Sequence, residues 1–412
     1  MQSKVLITGL GTVNPCGNTI DEYWESLKNG CSGIGTITRF DIADFSAQIA
    51  GELKNFDPID YIDKKEQRRM DRFTHYAIAA ANMAIADAGI DFSVMDRDRI
   101  GVVVGSGVGG IETHEIQNQI LINKGPARIS PFYIVMMIAD IAPGHISIIH
   151  GLKGPNYAVT SACATASHAI GDAFKIIQRG DADMMICGGA EAPITRMSLA
   201  GFDNMRAISR RNDDPQGASR PFDADRDGFV MGEGAGIVVL ESEKSAVKRN
   251  AKIYAEFAGM GFTGDAFHIT APAPNGEGAV RAMRAALNDA GMSPEEIEYI
   301  NAHGTSTEYN DRNETEAIKM VFGDYAYKIP VSSTKSMAGH LLGASGGVEL
   351  IAALLAMKNS CIPPTINYTT KDPECDLDYV PNTARQSSVR SCLSNTFGFG
   401  GHNACLIVRE YK

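Results

Sequence analysis

Apolar positions along the chain fall into two alternating patterns. Short continuous runs such as "KVLITGLG", "RIGVVVGSG" and "DADMMICGGA" are too brief for helices and read as mostly buried strands. Between them, "RFTHYAIAAANMAIADAG" and the segment after Cys163 place apolar residues at helical spacing. The rhythm returns after about residue 250, in the strand-like "AKIYAEFAGMGF" and "IEYINAHG", the helix-like "GAVRAMRAALNDAG", and "PVSSTK" with the helix beyond it. Strands alternating with helices predict an α/β fold.

The 412 residues exceed the roughly 250–300 at which one hydrophobic core stops growing, so two domains or two repeated halves are expected. "VTSACATASHAIGDAFKIIQRGDADMMI" and "VSSTKSMAGHLLGASGGVELIAALLAMKNSCI" both pass through small residues into a long Ala-rich helix, at corresponding places of the two halves. That echo suggests an internal duplication, which would bring equivalent strand–helix turns to one shared cleft.

A net charge of −11 argues against general affinity for nucleic acid or an anionic membrane face. An acidic partner would need a local basic patch. The opening "MQSKVLITGLG" lacks a signal peptide's apolar stretch, and the longest apolar helical face, "VELIAALLAMK", carries Glu349 and Lys358 and falls short of the ~18 residues a span needs. Eight scattered cysteines show neither a C-x-x-C pair nor zinc spacing, which fits reduced thiols in a soluble intracellular protein.

Four stretches carry chemistry. In "VTSACATASHAIGDAF" the helix would begin near Ala164 and set Cys163 at its N-terminus. A helix dipole there contributes about 0.3–2 kcal/mol, enough to lower a thiol from about 8.5 by around one unit. Nearby histidines would help such a nucleophile, although a cysteine taken alone is more often a small apolar filler. "NAHGTST" puts His303 at the end of a strand-like run, where α/β sheets expose chemistry. "SSTKSMAGHLLGASGG" lets Lys335 and His340 point into one pocket, and "SNTFGFGGHN" alternates Phe397 and Phe399 with glycines whose N–H groups can approach a reacting oxygen. Taken singly, each of these could be packing, capping or a solvated side chain.

Together with "SRPFDADRDGFVMGEGAG", these motifs closely resemble the β-ketoacyl-acyl carrier protein synthases, specifically their elongating type in bacterial fatty-acid synthesis, over essentially the whole chain. The resemblance implies a thiolase-like fold: two duplicated α/β halves, 1–250 with the nucleophilic cysteine and 251–412 with the histidine pair, in a layered α-β-α-β-α core. It implies that Cys163 accepts an acyl chain, while His303 and His340 assist decarboxylation of malonyl-carrier and steady the enolate. Lys335 would organise the histidines through Asp311 and Glu314; Cys163 and Phe399 would supply oxyanion-hole N–H groups, with Phe399 also a gate. Val108, Tyr133 and Phe202 would belong to the acyl pocket, Tyr133 near a dimer interface. No metal or resident cofactor is implied, since phosphopantetheine arrives on acyl carrier protein.

That carrier is acidic, and "DKKEQRRMDR" offers Lys64, Lys65, Arg68, Arg69 and Arg72; helical spacing would put the last four on one face. Arg206 and Thr270 match further docking positions of the family. The resemblance implies a cytoplasmic bacterial homodimer, with a polyketide ketosynthase working beside a partner subunit as the alternative. His340 stands where initiating and chalcone-type synthases have asparagine, and Cys163 is what non-catalytic chain-length partners lack. "ATASHA" and His402 depart from commoner family forms without touching a catalytic position. Gly105-x-Gly107-x-x-Gly110 is formally a dinucleotide fingerprint, but residues 123–133 lack the acidic residue it needs.

Overall fold

A computed structural model describes residues 4–412. Ten strands form the main sheet: β1 Val5–Val13, β2 Ile100–Gly105, β3 Asn156–Tyr157, β4 Met184–Glu191, β5 Gly234–Ser242, β6 Ala255–Gly264, β7 Tyr299–Asn301, β8 Val331–Ser332, β9 Ser391–Gly398 and β10 His402–Arg409. Six helices frame the site: α1 Arg72–Asp87, α2 Ile111–Lys124, α3 Thr165–Arg179, α4 Glu277–Ala290, α5 Glu308–Phe322 and α6 Ser345–Asn359. β1, β2, β4 and β5 are buried throughout, which explains why they are written as continuous apolar runs and not as alternations.

The strand order is β3-β2-β4-β5-β1-β6-β10-β9-β7-β8. Read outward from the centre, the first half runs β1-β5-β4-β2-β3 and the second β6-β10-β9-β7-β8, so adding five to each strand number converts one into the other. Pairing directions match as well: β2 is parallel to β3 and β4, and β7 is parallel to β8 and β9. The pairs β4–β5, β1–β5, β9–β10 and β6–β10 are antiparallel. The halves join through β1 and β6 over only three residue pairs, Val5–Phe257, Leu6–Glu256 and Ile7–Ala255.

α3 packs on β4 and β2 and reaches β10, while α6 packs on β9 and β5 and against α3. These two helices form the middle layer; α1 covers β1 and β5 on one outside, and α4 covers β6 and β10 on the other. The thiolase-like layering follows. A helix sandwiched between the two halves of the sheet has no solvent face, and α6 is accordingly buried at every position from Ser345 to Ala356.

The literal echo between the two "V-T/S-S" stretches is offset from the structural one. A short helix, Lys335–Ala338, intervenes in the second half, so the one-turn elbow Ala162–Ala164 before α3 is matched by Leu342–Ala344 before α6. Both elbows carry a left-handed residue at the same step, Ala162 at φ 50° and Leu342 at φ 45°. Cys163 therefore has Gly343 as its counterpart.

Candidate active site

Cys163 is presented by the elbow ahead of α3. Ser161 N–H donates to Thr165 Oγ1 at 2.8 Å and that hydroxyl donates to the Ala162 carbonyl at 2.7 Å, closing the turn that holds Ala162 left-handed. The thiol is 8 % exposed and packs with Phe229, Met231, Leu199, Ile208 and Leu342, with Phe202 against the same cluster. An apolar cluster at the nucleophile suits an acyl chain.

His340 follows the Lys335–Ala338 helix, its N–H donating to the Val230 carbonyl at 2.7 Å. Its Nε2 lies 3.0 Å from Cys163 Sγ and its Nδ1 2.8 Å from Ser345 Oγ, the first residue of α6. His303 ends the turn after β7; Lys335 Nζ approaches its Nδ1 at 3.3 Å, and its ring meets that of His340 edge-on at 5.3 Å between centroids. The sulfur and one nitrogen from each imidazole all lie within 4.8 Å of one another. Phe399 N–H faces the sulfur as a hydrogen-bond donor. The structure thus brings Cys163, His303, His340, Lys335 and Phe399 together.

Three sequence expectations need correction. Lys335 does not act through Asp311 and Glu314; its ammonium pairs with Glu349, on α6, and both side chains are 2 % exposed. Glu314 instead accepts the N–H groups of His303 at 2.8 Å and Gly304 at 2.7 Å, and the Asn395 amide at 3.1 Å. Asp311 accepts from Thr305 N–H at 2.9 Å and Phe222 N–H at 2.8 Å, beside Arg226. These two carboxylates hold the backbone of the His303 loop.

The second correction concerns the thiol. Helix placement predicts a lowered pKa, but burial dominates and pushes Cys163 up to about 12. Lys335 and the Phe399 N–H pull it down, while Glu191 and Glu349 push it up. Burial, and then the Lys335 charge, holds His303 and His340 well below the usual imidazole range. The resting site is a protonated thiol between two neutral imidazoles. Burial likewise raises Glu349 and Glu314, each to about 7, against the opposing pull of Lys335 on Glu349 and of backbone N–H groups on Glu314.

The third concerns the basic stretch. The helix there spans only Lys64–Gln67 and the chain then turns: Met70 is buried, and Asp71 accepts from Phe73 N–H to start α1. Arg72 consequently points inward, pairing with Glu112 at 2.7 Å and lying 3.6 Å from Glu233. Lys64, Lys65 and Arg68 are exposed, whereas Arg69 lies over the Phe132 ring at 4.9 Å and pairs with Glu66 at 3.4 Å. Arg206 is exposed and Thr270 half-buried, its N–H donating to His268 Nδ1 at 3.1 Å. Tyr133 is half-buried with its hydroxyl 2.7 Å from His114 Nδ1, and Val108 is exposed beside a turn held by Glu191.

Glu349, Ser345 and Glu191 were not singled out as site residues in the sequence, although Glu349 had a signal: a carboxylate inside a helix apolar all round must find a buried partner. As a metal set, Cys163, His303 and His340 have zinc-like donors, but the Lys335 ammonium beside His303 opposes a dication there. Asn301 Oδ1, Ser394 Oγ and Glu349 Oε2 are buried without hydrogen-bond partners.

Residues 2–246 match the family described as β-ketoacyl synthase, N-terminal domain, and residues 254–369 its C-terminal domain. The chain is 56% identical over 409 residues to the 3-oxoacyl-[acyl-carrier-protein] synthase 2 of Staphylococcus aureus (strain COL), covering 99% of each. Among solved structures, the ishigamide ketosynthase/chain length factor superposes with TM-score 0.94 at 37% identity over 100% of both chains. A type II PKS acyl-carrier protein in complex with its ketosynthase bound to the hexaketide superposes with TM-score 0.93 at 33% identity, again over 100% of both.

Proposed function

The chain belongs to the β-ketoacyl synthase family, and from that premise we propose that it condenses an acyl group held on Cys163 with malonyl-acyl carrier protein. The products are 3-oxoacyl-acyl carrier protein, CO2 and free carrier, the elongation step of fatty-acid synthesis. The observation that carries this reading is the 3.0 Å approach of His340 Nε2 to Cys163 Sγ, with His303 alongside in the same buried pocket.

Chemistry follows from the charges. Sγ attacks the acyl-carrier thioester; His340 takes the thiol proton, which leaves on the departing carrier sulfur. Burial opposes thiolate but not the neutral acyl thioester that replaces it. The malonyl carboxylate then leaves as CO2, and its bonding pair becomes an enolate whose oxygen receives hydrogen bonds from the two neutral imidazoles. The enolate carbon attacks the Cys163 acyl carbon, the carbonyl oxygen takes up charge against the Cys163 and Phe399 N–H groups, and the sulfur leaves as a thiolate that takes one proton from solvent, the proton the overall reaction consumes. Lys335, fixed by Glu349, keeps His303 neutral and oriented.

The carrier docks through Lys64, Lys65 and Arg68, with Arg206 and Thr270 at the rim, and its phosphopantetheine is the only prosthetic arm required. A homodimer is supported by the exposed outer strand β3 and by exposed Ile148 and Ile149, which end the helix packed on it. No helix among the described residues is long and apolar enough to cross a membrane, and we place the enzyme in the cytoplasm. The halves 1–250 and 251–412 read as products of duplication. A partner-dependent polyketide role is less favoured, because identity to the synthase 2 relative is 56% against 37% to the ketosynthase/chain length factor. Purified chain given acyl-carrier and malonyl-carrier should form 3-oxoacyl-carrier unaided; formation only with a second subunit would favour the polyketide role.

A further inference from the structure

Glu191, the last residue of β4, is fully buried and absent from the mechanism above. Its carboxylate accepts four hydrogen bonds: Ser106 Oγ at 2.6 Å, Gly107 N–H at 2.7 Å, Val108 N–H at 3.1 Å and Gly343 N–H at 2.9 Å. A Cβ at Gly107 or Gly343 would sit 2.7 or 2.5 Å from Glu191 Oε2, so only glycine lets both backbones come this close. The donors come from both halves of the chain.

The duplication gives this cradle a meaning. Gly343 stands at the step of the second elbow that Cys163 occupies in the first, and Ser106–Val108 follows β2 as Ala302–Gly304, which carries His303, follows β7. In the first half the elbow N–H is free to meet the oxygen of a reacting carbonyl. In the second half the equivalent N–H is already taken by Glu191.

We infer that Glu191 is a built-in anion filling the second half's copy of the oxyanion cradle. It acts as a positioning residue that ties the Val108 turn to the Leu342 elbow, whose side chain packs in the same cluster as Cys163. The same carboxylate opposes a dinucleotide phosphate at the Gly105-x-Gly107-x-x-Gly110 loop, because the Gly107 and Val108 N–H groups that would bind one already face a negative charge. The positioning role rests on the condensing reading, whereas the anion cradle does not.

Full-length Glu191→Ala and Glu191→Gln separate these parts, with sodium formate as the probe against sodium chloride at equal ionic strength. In Glu191→Ala, formate should raise the melting temperature and restore both iodoacetamide alkylation of Cys163 and condensation, which in chloride falls on the order of 10²-fold. Wild type should not respond. Glu191→Gln keeps the volume but turns an amide N–H2 toward the Val108 N–H; it should condense more slowly than wild type without formate rescue, and its alkylation profile should move to lower pH. Wild-type condensation by either variant would overturn the positioning role, and a folded Glu191→Ala indifferent to formate would overturn the cradle. Should Glu191→Ala not fold, an unshifted alkylation profile and wild-type rate in Glu191→Gln would overturn the inference. Formate-dependent melting beside a wild type that never condenses would uphold the cradle and sink the function instead.

Discussion

Lys335→Met isolates the buried ion pair beneath His303. Methionine keeps the unbranched stem but leaves the Glu349 carboxyl, already up at about 7 beside the ammonium, without its counter-charge. Removing one partner of a buried pair costs about 3–5 kcal/mol, and the carboxyl answers by binding a proton. The sign follows from linkage: a carboxyl raised in the fold contributes stability below its unfolded pKa near 4.3 and loses it as the pH rises through the folded value. Wild type releases this proton near pH 7; with the ammonium gone, the variant holds it past pH 8. With the wild-type carboxyl half-protonated at about pH 7, the stability gap should narrow by about 1 kcal/mol as the pH falls from 8 to 7, by about 0.4 kcal/mol more by pH 6, and stay level below. Urea midpoints read from the single Trp24, 8 % exposed, measure it at pH 6, 7 and 8, and adding Glu349→Gln should close much of the pH 8 gap. A variant as stable as wild type at pH 8, or a gap that widens on acidification, would refute the reasoning.

His303→Ala or His340→Ala should lower the condensation rate roughly 10²–10⁴-fold, as loss of a positioned proton donor does; wild-type turnover would remove that residue from the mechanism. Because both imidazoles are held neutral, kcat should show no imidazole limb near pH 6.5, and any inflection near pH 7 belongs to Glu349 or Glu314 and should vanish when both are changed to Gln. Reversing charge at Lys65 and Arg68 should raise KM for the carrier and spare a small thioester. Arg72→Ala, by contrast, should lower the melting temperature, since it strips the buried Glu233 of one of its cations.

The residues that meet in the pocket were legible because their sequence signals are local: Cys163 at a helix start, His303 at a strand end, and Lys335 with His340 around a turn. What joins them was not, because a buried charge pair is a contact across the fold. Glu349 lies 14 residues from Lys335 and looks in sequence like a blemish on an apolar helix. The thiol's pKa failed for the same reason: a helix dipole can be judged from the sequence, but desolvation in a closed pocket cannot. At Arg72, helical spacing was extended across buried Met70 and capping Asp71, which end one helix and begin another. The structural repeat was legible as a rhythm of elements, while its register needed Ala162 and Leu342 to be seen at the same left-handed step.

In the proposed reaction one pocket made of Cys163, His303 and His340 serves both decarboxylation and condensation. Measuring CO2 and 3-oxoacyl-carrier separately in Cys163→Gln tests it directly. CO2 should form from malonyl-carrier without condensation product, and that CO2 should be lost when His303→Ala is added. Condensation product from Cys163→Gln, or undiminished CO2 from the double variant, would contradict it.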